Sequence, residues 1–467
     1  MSFPRCLELP YRPDSTVLLE AIADQPWTVF LDSGHPGSDQ GRYDILTADP
    51  YLWLSTRGSV TEIAASSQVT TSQDDPFALM REYLNADPAS INTFGLPFSG
   101  GAVGYFAYDL GRRIERLPEH AQADITLPDM AIGLFDWAVV VDHQEKRSHL
   151  VAQGRHERTR ALWDERVQNF SQHARPAKHI PSMHILSPPT SNMDRNYYAQ
   201  AFQRTQTYIR NGDCYQINLA QRFSARAEGS PWCAYKRLRR VNPAPYSAYL
   251  KLPDGAVLSS SPERFLCVRG GMVETKPIKG TRPRAAWPAN DHISAQELLS
   301  SVKDRAENLM IVDLLRNDLG KTCEIGSIRV PKLFALESFA TVHHLVSTIT
   351  GRLAPDRHAL DLLRGCFPGG SITGAPKLRA MEIIEELEPH RRSVYCGAIG
   401  YIGYDGDMDL NIAIRTLVHH AGQLHCWAGG GIVADSVMEN EYQESFDKAA
   451  AMLRLFDTDE LRSASFE

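Results

Sequence analysis

Asp194-Arg-Asn-Tyr-Tyr-Ala-Gln-Ala-Phe-Gln-Arg-Thr-Gln-Thr-Tyr-Ile-Arg-Asn-Gly-Asp-Cys-Tyr-Gln-Ile-Asn-Leu-Ala-Gln-Arg-Phe223 holds a helix, its stop and a strand in one run. Asp194 can accept hydrogen bonds from the first free N–H groups, and Asn211-Gly212 supplies the left-handed end. From Tyr215 the period becomes two: Tyr215, Ile217 and Leu219 share one face, and Gln216, Asn218 and Arg222 the other. That polar face must meet either solvent or a ligand. Helices and strands keep alternating to the C-terminus. The predicted fold class is therefore α+β, with mostly antiparallel β-sheets packed together and helices outside.

Upstream, Trp27–Leu31, Tyr43–Ala48, Tyr51–Ser55 and Trp137–His143 read as short strands bounded by Gly, Pro or Asp. Gly100–Asp109 is glycine-rich and aromatic, which suits a strand closely approached by another backbone better than a phosphate loop. The prolines in His173-Ala-Arg-Pro-Ala-Lys-His-Ile-Pro and Ser187-Pro-Pro-Thr-Ser mark a linker, dividing the chain into 1–185 and 190–458.

The 467 residues carry 49 basic and 56 acidic side chains, a net charge of −7 that favours neither nucleic acid nor an anionic membrane. No stretch approaches the ~18 apolar residues of a membrane span, and residues 1–13 lack a secretory apolar core. Eight cysteines stand singly, without a C-x-x-C pair, as expected of a reducing cytoplasm.

Chemistry gathers in the second part. In Thr275-Lys-Pro-Ile-Lys-Gly-Thr-Arg-Pro-Arg284 the turn needs Gly280 and Pro283 but has no evident need for Lys279. With Ser261-Pro-Glu-Arg-Phe265 just upstream, Lys279 is either an amine nucleophile near a carboxylic acid or an inert surface lysine. The helix from Asp304 to Arg316 has six apolar residues among Leu309–Leu315 and is expected to be buried. It nevertheless carries Asp304, Glu307 and Asp313, which then need local ion partners or a metal. On the last helix Glu441 and Glu444 are three apart, with Lys448 four beyond Glu444, a spacing that also suits a surface ion pair. Carboxylates offered by two helices give the sparse oxygen ligation that Mg2+ accepts. Two glycine-rich turns, Phe367–Lys377 and Ala428–Ser436, expose amides suited to an anion. Arg415, on a strand from Asn411 to Val418, either grips a carboxylate or pairs with Asp409.

Taken in order, Ser261-Pro-Glu-Arg-Phe265, Pro277-Ile-Lys-Gly-Thr281, Lys303–Asp318, Val342-His-His-Leu-Val-Ser347, Gly369-Gly-Ser-Ile-Thr-Gly-Ala-Pro-Lys377 and Ala428–Ser436 resemble the chorismate-utilising enzymes. These include anthranilate, isochorismate, salicylate and aminodeoxychorismate synthases. The resemblance is dense from about 192 to 456 and looser upstream, and it makes 190–458 the chorismate-binding catalytic domain. Within the family, lysine at 279 resembles the aminodeoxychorismate branch, where anthranilate synthases carry alanine. Gln216 stands where isochorismate-type relatives place a lysine base for water.

The resemblance implies amination of chorismate at C4 through a covalent lysine adduct. Lys279 would be the nucleophile and Glu263 the acid, protonated near neutrality, with His344 and Gln216 positioning the ring. Glu307 and Glu444 would hold Mg2+, with Glu441 in its outer shell. Arg415, Tyr401 and the amides of Ala428, Gly429 and Gly430 would hold the enolpyruvyl carboxylate, and Thr373 and Lys448 would flank the ring carboxylate. Ammonia would come from a separate glutamine amidotransferase subunit. Ser33, Arg42, Tyr43, Pro245, Tyr246 and Ser247 resemble the family's tryptophan pocket, with plain core packing as the alternative. Rival readings are an anthranilate synthase component and a non-catalytic ligand-binding paralogue.

Overall fold

The Asp194 carboxylate accepts the Tyr197 main-chain N–H at 2.7 Å, and the helix it caps runs Arg195–Asn211 to a left-handed Gly212, φ +82°. The strand that follows is longer than its alternation suggests, Gln216–Glu228. These elements belong to a computed structural model that describes residues 3–38, 40–65, 68–85, 94–171, 180–285, 287–339 and 342–456. Most of the expected His173–Pro181 linker lies outside the described residues.

Two antiparallel sheets, of 13 and 12 strands among the described residues, form the protein. In the first, Gln216–Glu228 pairs with Gln423–Ile432, followed in order by Thr416–His420, Gly255–Ser261, Tyr246–Leu252, Val29–Asp32 and Tyr43–Thr47. In the second, Ile278–Pro283 has a single ladder partner among the described residues, Val342–Arg352. Met272–Lys276, Arg264–Arg269, Met408–Ile412, Ala398–Gly403 and Gly101–Phe106 continue that sheet. Both sheets therefore take strands from both sides of the linker, which separates stretches of chain rather than packing units.

The largest buried cluster joins the sheets, with Ala220, Leu250 and Trp427 of the first packed in one core with Phe265, Ile399 and Tyr401 of the second. Ile217 and Leu219 face the other way, onto Tyr198, Phe202, Ile383 and Ile384 of the outer helices Arg195–Asn211 and Lys377–Leu387. The polar face of the Gln216 strand is thus buried rather than solvated, with Gln216, Asn218 and Arg222 all under 9% exposed. Tyr215 leaves the pattern and is 72% exposed. Close backbone approach does explain the early glycines: a Cβ on Gly101 would strike the Ile402 carbonyl, and one on Gly104 the Ala131 carbonyl.

Three expectations need correction. The apolar helix runs Val302–Gly320 and is only half buried; Leu309 is exposed, Asp304 pairs with Arg282, and Asp313 with Arg316 on the surface. A run of apolar residues leaves one face outside whenever only one side of a helix meets a sheet. The Asn411–Val418 stretch is not one strand: it breaks between Met408–Ile412 of the second sheet and Thr416–His420 of the first. Ala428–Gly431 is not a turn but the second half of the strand Gln423–Ile432.

Candidate active site

Two places where the chain passes from one sheet to the other meet at the site. Gly255–Ser261 lies in the first sheet and Arg264–Arg269 in the second, so Pro262 and Glu263 make the crossing. The return passage, Ala413–Arg415, ends with Arg415 at φ +49°, a left-handed conformation that costs a branched-out side chain about 1–3 kcal/mol and persists where surrounding structure fixes it. Hydrogen bonds lace the two crossings: Ser261 Oγ donates to the Ile412 carbonyl at 2.6 Å, and the Ile412 N–H donates to the Glu263 carbonyl at 3.0 Å.

Glu263 is 4% exposed and accepts a 2.7 Å hydrogen bond from Ser371 Oγ. Burial pushes its carboxyl up to about 7, against the opposing effects of Ser371, Lys279, the Ile278 main chain and Lys448. A carboxyl so placed is a proton donor near neutrality. The guanidinium of Arg415 feels the Glu263 charge, yet among the described residues it has no hydrogen-bond or ion-pair partner. Asp409, its alternative partner, is taken by Arg264 at 3.0 Å.

Lys279 sits on the single-partner strand Ile278–Pro283, nearly buried, with Nζ 2.9 Å from Glu307 Oε1. The Gln216 amide donates to the same oxygen at 2.9 Å, leaving its own Oε1 buried without a partner. Burial pushes the Glu307 carboxyl up, but Lys279, Lys448 and Gln216 outweigh it and hold the group below its ordinary value. From the last helix, Met438–Leu453, Lys448 Nζ reaches Glu444 at 2.6 Å and the Gly429 carbonyl at 3.1 Å. Glu441 accepts from Ser436 Oγ at 2.6 Å, and burial with the neighbouring Glu444 charge raises its carboxyl.

The strand Gln423–Ile432 pairs with Thr416–His420 only as far as Cys426 opposite Leu417. Continued, that register would set Arg415 opposite Ala428; the pairing stops short of it, so among the described residues the edge from Ala428 to Gly430 has no partner strand on that side. A Cβ on Gly430 would stand 3.3 Å from Glu444 Oε1 and 3.1 Å from Glu441 Oε2, and one on Gly431 2.9 Å from Glu307 Oε1. The glycines thus clear a cradle over which the carboxylates of both helices converge.

His344 is 2% exposed. Its Nδ1 shares a 2.8 Å hydrogen bond with Thr281 Oγ1, and its Nε2 is buried without a partner. Burial, with the Arg415 charge, brings its pKa down to about 3, so the ring is neutral. Thr373 is fully buried, but its hydroxyl donates back to the Gly369 and Gly370 carbonyls at 3.1 and 3.3 Å, closing the turn rather than facing outward.

The sequence that builds this arrangement, a buried acid, a nearly buried amine, an unpaired arginine and a carboxylate cradle, matches a known family pattern. The pattern of the chorismate binding enzymes spans residues 42–454. The chain belongs to that family. Among chorismate binding enzymes it is 49% identical to aminodeoxychorismate synthase component 1 of Klebsiella aerogenes over 98% of this chain and 100% of that protein. It is also 43% identical to anthranilate synthase component 1 of Thermus thermophilus over 94% of each. Anthranilate synthase component I of Streptococcus pneumoniae superposes with a TM-score of 0.79 at 34% identity, covering 89% of this chain and 92% of that one. The menaquinone-specific isochorismate synthase of Escherichia coli shares the fold, with a TM-score of 0.72 at 17% identity, covering 98% and 96%.

In this chorismate binding enzyme the expected site residues do not all assemble. Tyr401 is separated from Arg415. Strand alternation turns it, with Ile399, into a different cavity of about 530 Å³, where its hydroxyl meets Arg269. Arg42, Tyr43, Pro245, Tyr246 and Ser247 line that cavity too. Ser33 does not: its N–H and hydroxyl both donate to Asp44 Oδ1 at 2.7 Å, which holds it beneath the lining. Ser371 was read only as part of an anion turn; its contact with Glu263 depends on tertiary approach over 108 positions.

No cage of three or more His, Cys, Asp or Glu side chains occurs among the described residues. Carboxylate oxygens of Glu441 and Glu444 stand over Gly430, and Glu307 with the Gln216 amide over Gly431; the three carboxylates fit a hard cation that completes its shell with water and substrate oxygens. No described helix is long and apolar enough to cross a membrane.

Proposed function

We propose that the protein aminates chorismate at C4, giving 4-amino-4-deoxychorismate, as the names of its relatives at 49–50% identity suggest. The observation that carries this reading is the nearly buried Lys279, with Nζ 2.9 Å from Glu307 Oε1 and its charge acting on the buried carboxyl of Glu263.

Lys279 attacks C2 as an amine, its ammonium proton released to solvent once Glu307 no longer holds it. Glu263 gives its proton to the C4 hydroxyl, which leaves as water. Ammonia then bonds to C4 as the C2–nitrogen bond breaks and frees the Lys279 amine, and the proton shed by the new C4 ammonium returns to Glu263. The sum is chorismate plus ammonia going to the amino product plus water. Arg415 binds the enolpyruvyl carboxylate with the open edge at Ala428–Gly430; Lys448 balances the ring carboxylate, and neutral His344 offers its free Nε2 to the ring substituents. Glu307 and Glu444 would hold Mg2+, with Glu441 beside them, and the ion would neutralise the ring carboxylate. Ammonia arrives from a glutamine amidotransferase partner, in keeping with the component 1 names of the relatives. The 530 Å³ cavity is of a size for an aromatic amino acid such as tryptophan.

The test is product analysis of the purified protein with chorismate, Mg2+ and ammonium salt by liquid chromatography and mass spectrometry. An amino product retaining its enolpyruvyl group supports the reading. Anthranilate with free pyruvate would replace it with the anthranilate synthase reading that the Thermus relative also allows.

A further inference from the structure

Among the described residues, the only side-chain hydrogen bond to the Glu263 carboxyl comes from Ser371. Ser371 is 6% exposed and its hydroxyl has no other partner there, so its proton goes to Glu263 Oε1. The Ile278 main chain also hydrogen-bonds this carboxyl. In a neutral acid the carbonyl oxygen is the better acceptor, so a donor held on Oε1 favours carrying the acidic proton on Oε2.

The turn that presents Ser371 is held from every side. A Cβ on Gly369 would come to 2.7 Å from Ile412, and one on Gly370 to 2.6 Å from Leu314, so the turn is pressed onto a strand of the second sheet and the Val302–Gly320 helix. The Thr373 hydroxyl closes the turn on Gly369 and Gly370, and Arg392 Nη1 donates to the Ile372 carbonyl at 3.0 Å. Arg392 also grips the Asn218 carbonyl and the Glu388 carboxylate, tying this turn to the Gln216 strand.

We propose that Ser371 is a positioning residue for the reaction: it fixes Glu263 Oε1 as the carbonyl oxygen and so directs the acidic proton on Oε2 toward the departing hydroxyl. The proposal rests on the reading of Glu263 as the acid that acts on chorismate. A hydrogen bond from Ser371 also favours the ionised carboxyl, so its removal moves the Glu263 titration upward in pH.

The experiment compares wild type, Ser371→Ala, Ser371→Cys and Ser371→Thr in kcat and KM for chorismate against pH, with free ammonia held constant and folding checked by circular dichroism. Expected for Ser371→Ala are a kcat lowered about 10-fold, a KM within about twofold and an alkaline limb moved to higher pH. Ser371→Thr restores both, and Ser371→Cys, a weaker donor of similar size, falls between. An alanine variant with unchanged kcat and limb, or one that loses only KM, overturns the proposal. Should alanine fail to fold, a cysteine variant with the wild-type limb and kcat overturns it equally. If wild type makes anthranilate, the product reading fails while the limb comparison still decides Ser371, because that route also begins with departure of the C4 hydroxyl.

Discussion

Lys279 Nζ and Glu307 Oε1 are 2.9 Å apart, so the candidate nucleophile and a candidate metal ligand neutralise each other. Whatever draws Glu307 toward another cation releases the amine.

Lys279→Ala is therefore expected to act twice. The 4-amino product falls by about 10²-fold or more, as for loss of a group bonded to the reacting atoms. Mg2+ affinity rises as Glu307 loses its internal partner. Product chromatography and a metal titration by calorimetry check the two arms separately.

Glu263 titrates near 7 in the folded protein and near 4.5 in an unfolded chain. Its folded-state value is raised, so its favourable contribution belongs to low pH and fades as pH rises from about 4.5 through about 7. Activity is expected to fall on the alkaline side of this value. Glu263→Gln should lower kcat by about 10²–10⁴-fold while raising the melting temperature relative to wild type more at pH 9 than at pH 5. Activity profiles and thermal melts at the two pH values are the measurement.

Removing Mg2+ with a chelator is expected to abolish turnover reversibly. Glu307→Gln and Glu444→Gln should each raise the metal concentration needed for half-maximal rate. Glu441→Gln should do so less, because Glu441 is held by Ser436. Rate against free Mg2+ distinguishes them.

The 530 Å³ cavity is expected to bind tryptophan without competing with chorismate, since Lys279, Glu263 and Arg415 are absent from its lining. At a ligand concentration of 100 Kd the folded state gains about 2.7 kcal/mol, seen as a raised melting temperature. Tyr246→Ala should abolish the rise; Ser33→Ala should weaken it only indirectly.

Arg392 and Glu388 form a fully enclosed pair behind the Ser371 turn. Arg392→Ala leaves the Glu388 carboxylate buried and unpaired, which costs about 3–5 kcal/mol. Denaturant unfolding measures it, and Glu388→Gln with Arg392→Met should recover part of the loss.

Much of this was legible in the chain because local rules govern it. Asp194 and Gly212 bound their helix as caps do, and Ile217 and Leu219 alternate onto the outer helices. Glu263, Lys279, Glu307 and Gln216 came to one place, as the ordered motifs implied. The reading failed where a strand changes sheets. Arg415 looked like mid-strand because alternation continues through it, and the break depends on the pairing with the neighbouring strand stopping at Cys426. Tyr401 was misassigned because spacing along a strand does not say which side of a two-sheet core it faces. Leu309 looked buried because composition counts apolar residues without counting neighbours.

Among the described residues, the Ile278–Pro283 strand hangs from the second sheet by one ladder partner. Its lysine can be exchanged without unthreading the crossings that seat Glu263 and Arg415. A fold so divided keeps Glu263 and Arg415 as fixed tooling and leaves the side chain at position 279 as an interchangeable bit. A family on this scaffold can therefore change the side chain it presents to the site by editing the margin of one sheet.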